Sequence, residues 1–116
     1  MRIGELAERT GVSVRSLRYY ETRELIRSCR TDGGQRVYEQ DAVDRVLLIQ
    51  QLFRAGLGST EVVQLLPCIY SGTTTRAMLG LLEREHARLD AQIEDLLATR
   101  DRLAELRVDA AGRLAA

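Results

Sequence analysis

The chain has 116 residues, room for one compact domain and an appendage but not for two full-sized domains. Its 45% apolar and 29% charged content describes a soluble, helix-prone protein, with no apolar run able to span a bilayer and with Glu5, Glu8 and Arg9 interrupting any secretory leader. Cys29 and Cys68 are too few for a disulfide framework, so a cytoplasmic protein with reduced thiols is expected, and the formal net charge of zero argues at first sight against a nucleic-acid partner.

Ile3, Leu6 and Ala7, followed by Gly11 and Val12, predict a short amphipathic helix that stops at a turn. Ser13 is a candidate N-cap, because its hydroxyl can accept an orphan backbone N–H, and a second helix follows over residues 14 to about 23 with Leu17 facing inward. Short helices joined by a glycine-containing turn are the footprint of a helix-turn-helix, although helical hairpins in all-α proteins share it. Leu25 and Ile26 then lead into the polar residues 28–32 and the Gly33-Gly34 turn signal, and residues 35–38 alternate as a second short strand would. A two-stranded wing after the helix-turn-helix is the economical reading.

Val43, Val46, Leu47, Ile49, Leu52 and Phe53 form a helical stripe over residues 40 to 55, with Gly56 where a C-terminal cap is expected. Ser59 is a candidate cap for a short helix over residues 60–66 that Pro67 ends, and residues 68–75 read as a loop. A long helix is predicted over residues 76–107, and residues 108–116 have little to bury and are expected to fray. The division is therefore a winged domain over residues 1–70, a dimerisation helix over 76–107 and a flexible tail over 108–116.

Charge is unevenly spread along these elements. Arg15, Arg18, Arg23, Arg27, Arg30 and Arg36 face only Glu21, Glu24 and Asp32, whereas the chain from Glu83 onward is net acidic. Every cation is Arg, which suits phosphates and guanine edges, but a GC-rich gene would also avoid the codons of the missing Lys and Asn. On the long helix, Leu82, Leu89, Ile93, Leu96 and Leu103 alternate at three-and-four spacing, with His86, Arg100 and Arg107 in the remaining seam positions. Burying each Leu or Ile contributes roughly 1.5–3 kcal/mol, so the seam needs a cover, and a second copy of the same helix is the simplest one. His86 can be read as a pH switch or metal ligand and Arg100 as an effector contact. The plainer reading is that both fix register at the seam edge, and no Cys or carboxylate pair stands at ligand spacing from His86. A single His, no nucleophile spaced from a base and no Gly-rich phosphate loop disfavour an enzyme.

Ile3-Gly4-Glu5-Leu6-Ala7, Thr10-Gly11-Val12-Ser13 and Leu17-Arg18-Tyr19-Tyr20-Glu21, followed by Gly34, Arg36, Tyr38 and Gly56-Leu57, resemble the MerR family of bacterial transcription regulators. The resemblance implies a mainly α protein, with a winged helix-turn-helix joined to a long helix that forms an antiparallel coiled coil in a homodimer. Carried onto this sequence, it places Ser13, Val14, Arg15 and Arg18 at the major groove or its flanking phosphates and Arg36 and Tyr38 in a DNA-contacting wing. Tyr19 is expected outward, and Tyr20 partly packed with its hydroxyl near the DNA backbone. The resemblance further implies promoter DNA and RNA polymerase as partners, with the promoter untwisted or bent on activation.

Metal-sensing and iron–sulfur members carry cysteines around the dimer helix, and drug-binding members append a C-terminal domain; none of these is present here, so a regulator without an effector domain, metal or cofactor is expected. Cys68, beside Pro67 in the link to the long helix, is the residual candidate for a thiol switch, with Cys29 a weaker one. A lone cysteine is nevertheless more often a small buried hydrophobe. An excisionase-like architectural DNA binder and a coiled-coil adaptor are the competing readings. The leucine seam disfavours the first, and Arg15 and Arg18 disfavour the second.

Overall fold

The computed structural model describes residues 1–115 and is mainly helical, with helices α1 (Ile3–Thr10), α2 (Val14–Thr22), α3 (Ala42–Arg54), α4 (Ser59–Tyr70) and α5 (Arg76–Ala115) and strands β1 (Cys29–Arg30) and β2 (Arg36–Val37) between α2 and α3. It divides into one compact unit over Met1–Met78 and a second that begins at Leu79. No described helix is long and apolar enough to cross a membrane.

In the first unit α1 packs on α2 and α3, and α4 packs on α3. Leu6, Leu17, Val46, Ile49, Val62 and Leu65, drawn from all four helices, are fully buried and form the centre of the core. The turn between α1 and α2 follows from two residues. Gly11 takes φ +73°, a left-handed conformation that costs a residue without Cβ nothing, and its N–H closes α1 on the Ala7 carbonyl at 2.9 Å. Ser13 is extended, and its Oγ accepts from the Ser16 N–H at 3.1 Å, as expected of the cap.

The wing is an antiparallel pair in which Cys29 faces Val37 and Arg30 faces Arg36. Its turn is closed by the Thr31 N–H on the Gln35 carbonyl and the Gly34 N–H on the Thr31 carbonyl, both 2.8 Å, with Gly34 at φ +80°. At its far end the Tyr38 N–H donates to the Met1 carbonyl at 2.6 Å, and the Met1 amino group donates to the Tyr38 carbonyl at 2.7 Å. The chain start thus pairs with the end of the wing.

Several features depart from the sequence expectations. Pro67 does not end the fourth helix; it lies inside α4, which continues to Tyr70, so Cys68 sits on a helix rather than in a loop. Proline forfeits one intrahelical hydrogen bond, but beyond it the Tyr70 ring lies 4.1 Å from the Arg45 guanidinium of α3, and the Pro67 carbonyl accepts from the Ser71 N–H at 3.0 Å to close the last turn. Gly58, not Ser59, occupies the N-cap, and the Ser59 hydroxyl instead accepts from Arg23 Nη2 at 3.2 Å. The cap of α5 comes from Thr75, whose Oγ1 accepts from the Met78 N–H at 3.1 Å. That helix runs through residues 108–115, where fraying was expected, because Ala, Leu and Arg sustain a helix and Gly112 costs only about 1 kcal/mol relative to Ala. Of the expected tail, Ala116 lies outside the described residues.

The end of α2 carries a local conflict. The Leu25 N–H reaches the Tyr20 carbonyl at 2.9 Å and the Glu24 N–H reaches the Glu21 carbonyl at 3.0 Å, the two bonds of a Schellman cap. The residue that must be left-handed for this cap is Glu24, at φ +60°, and it is exposed. A Cβ there costs roughly 1–2 kcal/mol, of which glycine's greater freedom in the unfolded chain returns about 0.5–1 kcal/mol. Glu24→Gly is therefore expected to stabilise the protein by about 0.5–1 kcal/mol in denaturant unfolding; a destabilised variant would contradict this assignment.

Candidate nucleic-acid interface

Helix periodicity sorts α2 into two faces. Leu17 and Tyr20 point into the core, while Arg15, Arg18, Tyr19 and Thr22 lie on the exposed side. Tyr19 is 51% exposed, unusual for an aromatic ring with an apolar core adjacent. Among the described residues neither Arg15 nor Arg18 forms an ion pair, although Glu5, Glu21, Asp41 and several carboxylates of α5 are paired with other cations. Two uncompensated guanidiniums and an outward phenol on one short helical face can meet phosphates and base edges without first releasing an internal partner.

Tyr20 lies almost wholly in the core, its ring centroid 5.8 Å from that of Phe53 and its hydroxyl accepting from the Gln50 amide. Burial pushes its phenol above the ordinary value. Its neighbour Tyr19 sits 6.4 Å away, centroid to centroid, on the outside. Val14 is half-buried, and the Ser13 hydroxyl is occupied by the helix cap.

The wing meets α2 through the acidic side chain of Glu21. Glu21 Oε2 accepts from Arg36 Nη1 at 3.0 Å and from the Tyr38 hydroxyl at 3.3 Å, and Oε1 accepts from the Ser28 hydroxyl. Tyr38 is only 2% exposed and packs beneath the wing. Its phenol is pushed up by burial first, then by the Glu21 charge and by donating its proton to Glu21. Arg36 remains outward, beside Arg30, whose Nη1 donates to the Gly34 carbonyl at 3.0 Å. The only signal for Glu21 in the sequence was its place after Arg18-Tyr19-Tyr20, at the end of the helix nearest the wing.

On the second unit Leu82, Ile93, Leu96 and Leu103 are exposed and Leu89 is half-buried. His86 Nδ1 lies 3.5 Å from Asp90 Oδ2 one turn on, and Arg100 Nη2 lies 3.4 Å from Asp101 Oδ1. In the first unit, Cys68 is half-buried with its Sγ 3.3 Å from Thr74 Oγ1, and Cys29 is exposed on β1. Among the described residues no group of His, Cys, Asp and Glu is placed to hold a metal.

Residues 1–67 match the family described as MerR HTH family regulatory protein. The chain is 41% identical over 106 residues to the nodulation protein NolA of Bradyrhizobium elkanii, a match covering 90% of this chain and 46% of that protein. It is 32% identical over 108 residues to an uncharacterised HTH-type transcriptional regulator of Pseudomonas aeruginosa, covering 91% of this chain and 82% of that one. This chain spans less than half the length of the NolA proteins it matches. Among solved structures, a putative MerR family transcriptional regulator from Listeria monocytogenes superposes with a TM-score of 0.79 at 30% identity, covering 94% of this chain and 83% of that one. HiNmlR, described as a MerR family regulator lacking the sensor domain and bound to promoter DNA, superposes with a TM-score of 0.74 at 25% identity, covering 88% and 82%.

The raised phenols give a pH dependence. Unfolded tyrosines ionise near the ordinary value of 10.0, whereas Tyr20 and Tyr38 in the fold hold their protons to higher pH. Their contribution is complete below pH 10.0 and is lost as pH rises through the folded values. The melting temperature is expected to fall above pH 10.0, and less steeply in Tyr38→Phe; parallel pH profiles for the two proteins would contradict it.

Proposed function

The chain belongs to the MerR family of helix-turn-helix regulatory proteins, and from that membership we propose that it is a sequence-specific transcription regulator that binds promoter DNA as a homodimer. The observation that carries this reading is the exposed face of α2, on which Arg15, Arg18 and Tyr19 stand, the two arginines without an ion-pair partner among the described residues. In this reading α2 enters the major groove. Arg18 and Tyr19 fix the helix on the backbone, Arg15 reaches a base edge, and Arg36 holds the adjoining phosphates from the wing. Ser13 and Val14 set the helix start against the groove, whereas Tyr20 and Tyr38 act from within the fold.

Dimerisation is supported by the apolar stripe of α5, which is about 60 Å long for its 40 residues. An antiparallel pairing along Leu82, Leu89, Ile93, Leu96 and Leu103 would bury it. His86 and Arg100 would sit at its edge, where they fix register. Two recognition helices then stand at a distance set by the paired α5 helices, so the operator should contain two half-sites on one face of the duplex. From the family resemblance the promoter is distorted on activation and RNA polymerase is the partner there. The protein works in the cytoplasm, where the promoter is.

Three substitutions test this assignment, two by titration against DNA from upstream of its own gene and one by sedimentation. Arg18→Ala should weaken binding to all sequences and lower the magnitude of the salt slope by about one unit, as loss of a phosphate contact does. Arg15→Ala should relax preference at a base pair in each half-site by roughly 1–3 kcal/mol. Ile93→Asp should weaken dimerisation by about 100-fold or more in sedimentation, since two Ile burials of roughly 1.5–3 kcal/mol each are lost. Full affinity and an unchanged salt slope in Arg18→Ala would overturn the docking, and an unchanged sedimentation coefficient in Ile93→Asp would overturn the dimer.

A further inference from the structure

We propose that Glu21, which need not touch DNA, is the positioning residue that makes the recognition helix and the wing bind DNA as one unit, by fixing the guanidinium of Arg36. The inference rests on the DNA-binding reading above and adds to it a residue and a mechanism.

The geometry is asymmetric in a way that matters. Arg36 gives only Nη1 to Glu21 Oε2, at 3.0 Å, and its side chain remains 49% exposed. Glu21 is the withdrawn partner, with its side chain 19% exposed. An arginine held end-on by one nitrogen keeps its other donors for an outside acceptor, with its direction already set. Glu21 is held in turn by the Ser28 and Tyr38 hydroxyls, so its carboxylate cannot swing out to follow Arg36. These contacts gather the residue before β1, a residue on β2 and the residue after β2 at the last turn of α2. Arg18 stands one turn earlier on the same helix. Phosphates contacted by Arg18 and by Arg36 would therefore be spaced by α2 itself, with Glu21 as the fixed point between them.

A carboxylate that only stabilised the fold would, when removed, lower the melting temperature and leave the distribution of DNA contacts unchanged. A positioning residue acts through Arg36, and that difference is measurable. Glu21→Gln, which keeps the shape and one accepting oxygen, and Glu21→Ala are compared with Arg36→Ala and with the double variant Glu21→Ala/Arg36→Ala. Affinity and salt slope are measured on DNA from upstream of the gene, with hydroxyl-radical footprints and thermal melts.

The expected result for either Glu21 variant is an affinity loss of about tenfold and a fall of about one unit in the salt slope. Protection should be lost at the outer, wing-side sugars of each half-site and kept at the sugars covered by α2. In the Arg36→Ala background removal of Glu21 should add little, because both changes remove the same contact. Unchanged affinity in both Glu21 variants, tighter binding, or additive losses in the double variant would each overturn the proposal while leaving the regulator reading intact. Failure of the unaltered protein to prefer any upstream sequence would overturn both.

Discussion

The Glu21 carboxylate lies at the last turn of α2, mostly withdrawn from water, and accepts from Ser28, Arg36 and Tyr38. A charged group so placed is costly unless its lone pairs are filled, and here all the side-chain donors that fill them come from the wing or its flanks. The dependence runs the other way as well. A hairpin with two residues in each strand cannot persist alone in water. It exists because Glu21 ties it to α2, the Met1 main chain pairs with Tyr38, and the Tyr38 ring is buried. The Glu21 carboxylate thus joins Arg36 and Tyr38 to the last turn of α2, while main-chain pairing and ring burial hold the rest of the wing.

The second unit is governed by apolar surface. Leu82, Ile93, Leu96, Leu97, Leu103 and Leu106 remain exposed on α5, more than an isolated helix in water can leave uncovered without cost. Intrahelical pairs such as Arg102 with Glu105 support the polar faces, but exposed pairs of this kind contribute only tenths of a kcal/mol. In the proposed dimer, a helix covered by its partner copy serves association, and a surface braced internally by Glu21 serves readout.

Much of this was legible in the residues. Gly11 and Ser13 mark the turn and cap of the helix-turn-helix because each has a local backbone role that no distant contact alters, and Gly34 marks the wing turn for the same reason. The alternation of Arg15, Arg18 and Tyr19 with Leu17 and Tyr20 gave the outward face of α2 correctly. What was not legible depended on tertiary context. Pro67 is a helix breaker by local rules, yet α4 continues past it to Tyr70, whose ring stacks on Arg45 of α3. Tyr38 reads as a surface residue of a short strand, and only the position of Glu21 in three dimensions shows why it turns inward. Glu21 itself was counted as a charge opposing the arginines, whereas its partners lie up to seventeen positions away along the chain, beyond the reach of any periodicity. The resemblance supplied the DNA roles; the residues supplied the reasons they are physically possible.

The most direct test is a hydroxyl-radical footprint of the unaltered protein on the DNA upstream of its own gene, titrated at two salt concentrations. Two protected patches on one face of the duplex, separated by whole helical turns and each with a wing-side extension, are the predicted pattern, with affinity falling steeply as salt rises. Uniform, sequence-independent protection, or a single patch that binds one copy of the chain, would contradict a dimeric regulator that reads its promoter through α2 and the wing.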